Sequence, residues 1–189
     1  MIISITGSFG IGKTTLAIAI AKKIGAKVIN ENFRAIAEAG KDFNKSRGNL
    51  GLSQEKLSNL YECCDTWLRD REKIINSREN IVLDRCCFDI LQRYISNLFD
   101  KERINKLIEH CIKESSAYDV VIVPAICAWS DLSNKNNDGL IRANNSSLQL
   151  RDHLMTIGIL NSYCSSRVLI IPEYISSVDE RVDFILDTI

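Results

Sequence analysis

Short apolar runs alternate with longer amphipathic ones along the whole chain. Ile2–Thr6, Lys27–Ile29, Ile81–Leu83, Tyr118–Ile126 and Val168–Ile171 are compact stretches rich in β-branched residues, and they predict five strands. Between them the apolar positions recur three and four apart. That spacing predicts helices over Thr14–Ile24, Asn32–Ala39, Gln54–Asn76, Cys86–Phe99, Arg103–Lys113 and Leu148–Ile157. In the longest of these the stripe runs Leu57, Leu60, Tyr61, Cys64, Trp67, Leu68, Arg71, Ile74 and Ile75. Gly25 and Gly40 stand where helices stop, and Ser177 with Glu180 forms a capping box that opens a last helix. Two polar segments interrupt the alternation, Gly40–Gly51 and Ser130–Ser147, and the second is too long for a plain connector. Strands alternating with helices predict an α/β fold: a five-stranded, mainly parallel sheet with helices on both faces. No repeat or composition shift divides the chain, so residues 1–189 are expected to form one domain.

The first strand-to-helix junction carries chemistry. Gly7, Gly12, Lys13 and Thr14 fit G-x-x-x-x-G-K-[ST], with a strand before and a helix after. Glycines let such a loop curl until successive N–H groups point at one anion, and the start of the following helix adds its positive end. At average residue frequencies the pattern arises by chance in only about 0.7% of chains this long. The expectation is therefore a triphosphate cradle built from Gly7, Ser8, Phe9, Gly10, Ile11, Gly12, Lys13, Thr14 and Thr15. Lys13 would reach the β- and γ-phosphates and the Thr14 hydroxyl would ligate Mg²⁺. The fold class sharpens to a three-layer P-loop NTPase.

Composition narrows the partners. Lys+Arg and Asp+Glu number 24 each, and this neutral balance argues against a dedicated nucleic-acid binder. Seven cysteines occur with no C-x-x-C spacing and only two histidines, so zinc-ligand spacing is absent; reduced thiols are expected, with Cys63–Cys64 and Cys86–Cys87 filling core space. His110 and His153 are read as ordinary helix residues. No secretory pattern and no bilayer-length apolar run occurs, so a cytoplasmic protein is expected.

A phosphate loop serves kinases, switches and motors alike, so the discriminating residues must lie at the other strand ends. Three polar clusters follow strands directly. They are "NENFR" with Glu31 and Arg34, "LDRCCFD" with Asp84, Arg85 and Asp89, and "AWSDLSNKNNDGLIR" with Trp129, Asp138 and Arg142. In a parallel sheet all three open on the edge that carries the phosphate loop. Carboxylates and arginines gathered round a triphosphate suit phosphoryl transfer. The order phosphate loop, Glu-x-x-Arg, Asp-Arg, then Trp with Asp-Gly-Leu and Arg resembles the small P-loop kinases of nucleosides and nucleotides. Within that group it is most similar to the nicotinamide-riboside kinase domain of the bacterial NAD-biosynthesis regulator, with thymidylate and deoxynucleoside kinases more distant. The likeness covers Gly7 to about Ile157; here Ile141 stands before Arg142 where the family pattern reads Asp-Gly-Leu-Arg.

Each candidate has a functional and a plain reading. Glu31 would orient or deprotonate the acceptor hydroxyl, or be a helix-start acid. Arg34 would hold substrate, or be a solvated helix arginine. Asp84, ending an apolar strand, would reach Mg²⁺ through water, or be a strand-end acid. Arg85 would contact a transferring or acceptor phosphate, or pair with a neighbouring carboxylate. Asp89 would touch substrate, or stabilise the helix start. Trp129 would stack on a ring, or pack. Arg142 would arrive on a lid at 130–147, with Asp138 beside it, or be a loop charge. Lys41, Lys45 and Arg47 are solvated, or face a phosphate-bearing acceptor. The expectation is an ATP- and Mg²⁺-dependent kinase acting on a small nucleoside- or nucleotide-like acceptor, with a homodimer left open. A 5′-polynucleotide kinase and a nucleotide-dependent switch are the alternatives. No guanine-selecting N-K-x-D follows a strand: "SNKNND" at Ser133–Asp138 lacks both the spacing and the strand.

Overall fold

A computed structural model describes residues 1–30, 36, 54–77, 79–97, 100–126 and 146–189. Its elements run in the order β1 (Ile2–Ile5), α1 (Lys13–Ile24), β2 (Lys27–Ile29), α2 (Gln54–Asn76), β3 (Ile81–Asp84), α3 (Cys87–Asn97), α4 (Lys101–Ser115), β4 (Val120–Val123), α5 (Ser146–Tyr163), β5 (Arg167–Ile170) and α6 (Val178–Thr188). The five strands form one sheet in the order β2-β3-β1-β4-β5. Every neighbouring pair is parallel, with Ile5 opposite both Asp84 and Ile122 in register. All strand C-termini therefore share one edge. The chain steps outward from β1 to β2 on one side and crosses to β4 and β5 on the other, so β1 and its neighbours flank the switch point where α/β sheets bind ligands.

The central strands are apolar except at Ser4 of β1 and Asp84 of β3, because both faces are covered. Successive residues point to opposite faces. Ile81, Leu83, Val121 and Val123 join the core under α2, α3, α4 and α5, while Ile3, Ile5, Val82, Val120 and Ile122 join the core under α1 and α6. Ser4 is the polar position in β1, and it is fully buried.

Most of the expected elements occur, and α2 has the bounds its stripe predicts. Three differ. The strand expected over Tyr118–Ile126 is only Val120–Val123, because Tyr118 closes a turn onto Ser115 and Pro124 brings no N–H to the ladder. The helix expected to end at Ile157 continues to Tyr163, since Ile159 and Leu160 bury their side chains and outweigh the weak helix preference of Gly158. The helix expected over Arg103–Lys113 starts earlier, where Asp100 caps it by accepting from the Arg103 N–H. Gly25 ends α1 in the left-handed conformation and the Ser177–Glu180 capping box opens α6, both as expected. Of the expected helix over Asn32–Ala39, Ile36 alone is described, and it is helical and buried. The six described cysteines are free; Cys64, Cys86, Cys87 and Cys111 are fully buried core residues. Among the described residues no helix is long and apolar enough to cross a membrane.

Candidate functional site

The loop between β1 and α1 bends as its glycines allow. Gly7 has φ 128° and a Cβ there would lie 2.9 Å from Ile11 Cδ1, while Gly12 starts α1 at φ 81°. No side chain caps that helix start and no acid of the helix itself occupies its first turn, so its N–H groups are left to the loop. Lys13 is buried, and its ammonium donates to the carbonyls of Gly7 at 2.9 Å and Ser8 at 2.6 Å. Its positive charge is thus held inside the loop's curl. The Ser8 hydroxyl is buried and has no hydrogen-bond partner among the described residues. An orphaned donor in a cradle of N–H groups fits an incoming phosphate oxygen.

Two other elements tie this loop down. Gln149 of α5 donates to the Phe9 carbonyl at 2.8 Å. Arg181 of α6 donates to the Ile11 carbonyl at 3.4 Å and to the Ile175 carbonyl at 3.0 Å, linking the loop to the turn after β5.

The end of β3 lies against the same loop. The Thr14 hydroxyl donates to Asp84 Oδ2 at 2.6 Å. A hydroxyl and a buried carboxylate at this separation form an all-oxygen donor set, which suits a hard divalent cation such as Mg²⁺. Arg85 follows with φ 144°, the sole non-glycine residue with positive φ among those described. Such a backbone costs on the order of 1–3 kcal/mol and persists only where its surroundings enforce it. Its carbonyl accepts from Ser4 Oγ at 2.9 Å and from Arg71 Nη2 at 3.0 Å. Its guanidinium stands 3.8 Å from Asp89 Oδ1. The other Asp89 oxygen accepts from the Cys86 N–H at 2.7 Å, half of a capping box at the start of α3. Asp89 therefore has a structural duty and orients Arg85 as well.

Behind Arg85 lies a buried polar network absent from the sequence-based expectations. Arg71, 1% exposed, sits on the apolar stripe of α2. It pairs with Glu114 of α4, donates to Tyr118 Oη at 2.9 Å, and lies 5.0 Å from the Trp67 ring centroid. Tyr118 also donates to Glu114, and His110 Nε2 is 3.0 Å from Glu114 Oε2. His110 is thus partnered with an acid one helical turn away and is more than an ordinary helix residue. Burial by itself would raise the Glu114 carboxyl; the Arg71 charge and the hydrogen bonds from His110, Tyr118 and Arg71 outweigh it and hold the group at about 2. On α3, half-buried Arg93 also went unnoticed in the sequence. Burial pushes its guanidinium down, and the positive charge of Arg85 adds to this.

Of the expected site residues, the structure brings together Gly7–Thr15, Asp84, Arg85 and Asp89. Glu31, Arg34, Trp129, Asp138 and Arg142, the basic loop at Lys41, Lys45 and Arg47, and most of the expected lid at 130–147 lie outside the described residues. The strands that precede the Glu31 and Trp129 clusters, β2 and β4, end on the same sheet edge as β1 and β3.

A family model described as an AAA domain matches residues 2–164. No curated protein matches the chain by sequence. Among solved structures, the fold is similar to that of deoxyadenosine kinase from M. mycoides with bound dATP, at TM-score 0.67 and 16% identity, over 100% of this chain and 98% of that one. It is similar to the NadR protein in complex with NAD and AMP-PNP at TM-score 0.60 and 19% identity, over 98% of this chain but 48% of that one. It is also similar to thymidylate kinase from Candida albicans, at TM-score 0.58 and 15% identity, over 99% of this chain and 89% of that one. At such identities the likeness is one of fold. The chain belongs to the AAA domain family and has the three-layer P-loop fold that it shares with nucleoside and nucleotide kinases.

Proposed function

We propose that the chain is a kinase that transfers the terminal phosphoryl group of ATP to a nucleoside- or nucleotide-like acceptor, working as one domain over residues 1–189. The observation that carries this reading is the 2.6 Å contact between Thr14 and Asp84, beside the Lys13 loop and immediately before Arg85. It joins a triphosphate cradle to a carboxylate at the end of a different strand, with an arginine next in sequence, and these are parts that phosphoryl transfer uses.

In this reading the Gly7–Thr15 amides and the Ser8 hydroxyl bind the phosphate chain, and Lys13 follows the charge on its terminal groups. Thr14 and Asp84 would hold Mg²⁺, which would supply charge neutralisation to the phosphate chain. Arg85 stabilises the charge that grows on the transferring group, and Asp89 keeps its guanidinium in place. Glu31 orients the attacking hydroxyl, Arg34, Trp129 and Asp138 contact the acceptor, and Arg142 completes the positive surroundings. The neighbours in fold include structures solved with dATP and with AMP-PNP, which supports a triphosphate ligand for this chain too.

The test is incubation with γ-labelled ATP and Mg²⁺ against a panel of nucleosides, nicotinamide riboside, nucleoside monophosphates and a 5′-hydroxyl oligonucleotide. Label in a nucleoside or nucleotide product is expected. Slow hydrolysis alone would favour the switch, and label on the oligonucleotide alone would favour the polynucleotide kinase.

A further inference from the structure

We infer that Arg71 is a positioning residue for the transfer site: from within the helical layer it fixes the Arg85 peptide and thereby the aim of the Arg85 guanidinium. The inference rests on the kinase reading above. A fully buried arginine on the apolar stripe of a helix needs a reason, because an ion pair in the interior is seldom more stabilising than well-packed apolar side chains of the same volume. Stability alone does not call for Arg71. What an apolar residue could not do is donate to the Arg85 carbonyl, which Arg71 Nη2 approaches at 3.0 Å.

That carbonyl is where the strain of the site is decided. Upstream, Asp84 is fixed by the β3 ladder, in register with Ile5. Downstream, the Arg85 carbonyl is held by Arg71 and by Ser4, whose hydroxyl also accepts from Arg71 Nη2 at 3.4 Å. With both ends fixed, Arg85 keeps φ at 144°; with the carbonyl released, the residue can turn to an ordinary negative φ and swing its side chain. Glu114, on a different helix, balances the charge of Arg71 and so keeps it in place. Asp89 steers the guanidinium from the other side. Among the described residues its hydrogen bonds reach Glu114, Tyr118, Ser4 and the Arg85 carbonyl. The last of these is the route by which Arg71 acts on transfer.

This makes a double-mutant cycle decisive. The charge-neutral pair Arg71→Met/Glu114→Gln avoids leaving a lone buried charge that could unfold the chain. It is made in the native chain and in an Arg85→Ala background. In the native chain kcat for the acceptor that the unmodified protein phosphorylates best should fall about 10–100-fold, the range seen when supporting partners of a site are removed. Affinity for a nonhydrolysable triphosphate should hold. In the Arg85→Ala background the same pair should cost little more, because the group it positions is already gone. An equal loss in both backgrounds, or none in either, overturns the inference. Amide hydrogen exchange supplies a readout that needs no activity. The peptide spanning residues 84–89 should exchange faster in the charge-neutral variant while residues 7–16 keep their protection. Unchanged exchange at 84–89 also overturns it. If the unmodified chain phosphorylates no acceptor, the kinase reading fails, and the exchange measurement still decides what Arg71 holds.

Discussion

Two loops with unusual backbone meet at the same sheet edge, and they are held in different ways. In the phosphate loop the unusual backbone falls on Gly7, Gly10 and Gly12, residues that adopt positive φ at little cost. Its carbonyls accept from its own Lys13 at Gly7 and Ser8, from Gln149 at Phe9 and from Arg181 at Ile11. At the end of β3 the unusual backbone falls on Arg85, which keeps its side chain and therefore bears the strain. There the carbonyl is held by a fully buried arginine whose charge is balanced from another helix. A loop that works through its main chain can use glycine; a loop that must present a guanidinium has to be enforced from outside.

The sharpest way to break this contrast is to leave one charge of the buried network alone. Arg71→Met strands Glu114 and should destabilise the chain by about 3–5 kcal/mol in urea unfolding, with Arg71→Met/Glu114→Gln recovering most of that. The same pair adds to the acid sensitivity. Glu114 titrates at about 2 in the folded chain, below its ordinary 4.5, so its contribution is complete above pH 4.5 and is lost as pH falls toward 2. Unfolding midpoints followed from pH 7 to pH 2 should fall on that limb, and the charge-neutral variant should show a flatter one. In the phosphate loop the largest effect belongs to Lys13. Lys13→Ala should lower transfer about 10²–10³-fold, the scale of losing one preorganised charge at a reacting centre. Glu31→Ala should cost less than that in the same assay, because a loose transition state leaves a base less to do. Gln149→Ala removes one hydrogen bond beneath the loop and should weaken triphosphate binding by about 1 kcal/mol in a calorimetric titration. Ser177→Ala, remote from both loops, should cost about 0.5–1 kcal/mol of stability through its helix cap and leave transfer unchanged.

How much of this could be read from the sequence follows from how local each feature is. The phosphate loop is contiguous, so its glycines, lysine and threonine declare it. The strands show as apolar runs because both faces of the sheet are covered, and α2 shows as a stripe with the bounds it has in the structure. Asp84 was legible as an acid ending an apolar strand. The Arg85 conformation was not, since positive φ in a non-glycine residue is imposed by groups far away in sequence. Arg71 left one trace, a charged residue among the apolar positions of its stripe, but its partner Glu114 lies 43 residues on and no short pattern links them. Asp89 could be read as either a helix-start acid or a substrate contact, and its bond to the Cys86 N–H shows the first of these at work. The helix α5 overran its expected end because burial of Ile159 and Leu160, a tertiary fact, outweighs a local breaker.

The measurement that bears most directly on the joined cradle and carboxylate is the Mg²⁺ dependence of labelled-phosphate transfer, compared between the unmodified chain and Asp84→Asn. Transfer by the unmodified chain should require Mg²⁺, and Asp84→Asn should need at least about 10-fold more of it, as for loss of a group that orients a metal site, with metal-free triphosphate binding unaltered. Superimposable Mg²⁺ curves, or transfer that proceeds without the cation, would contradict the account.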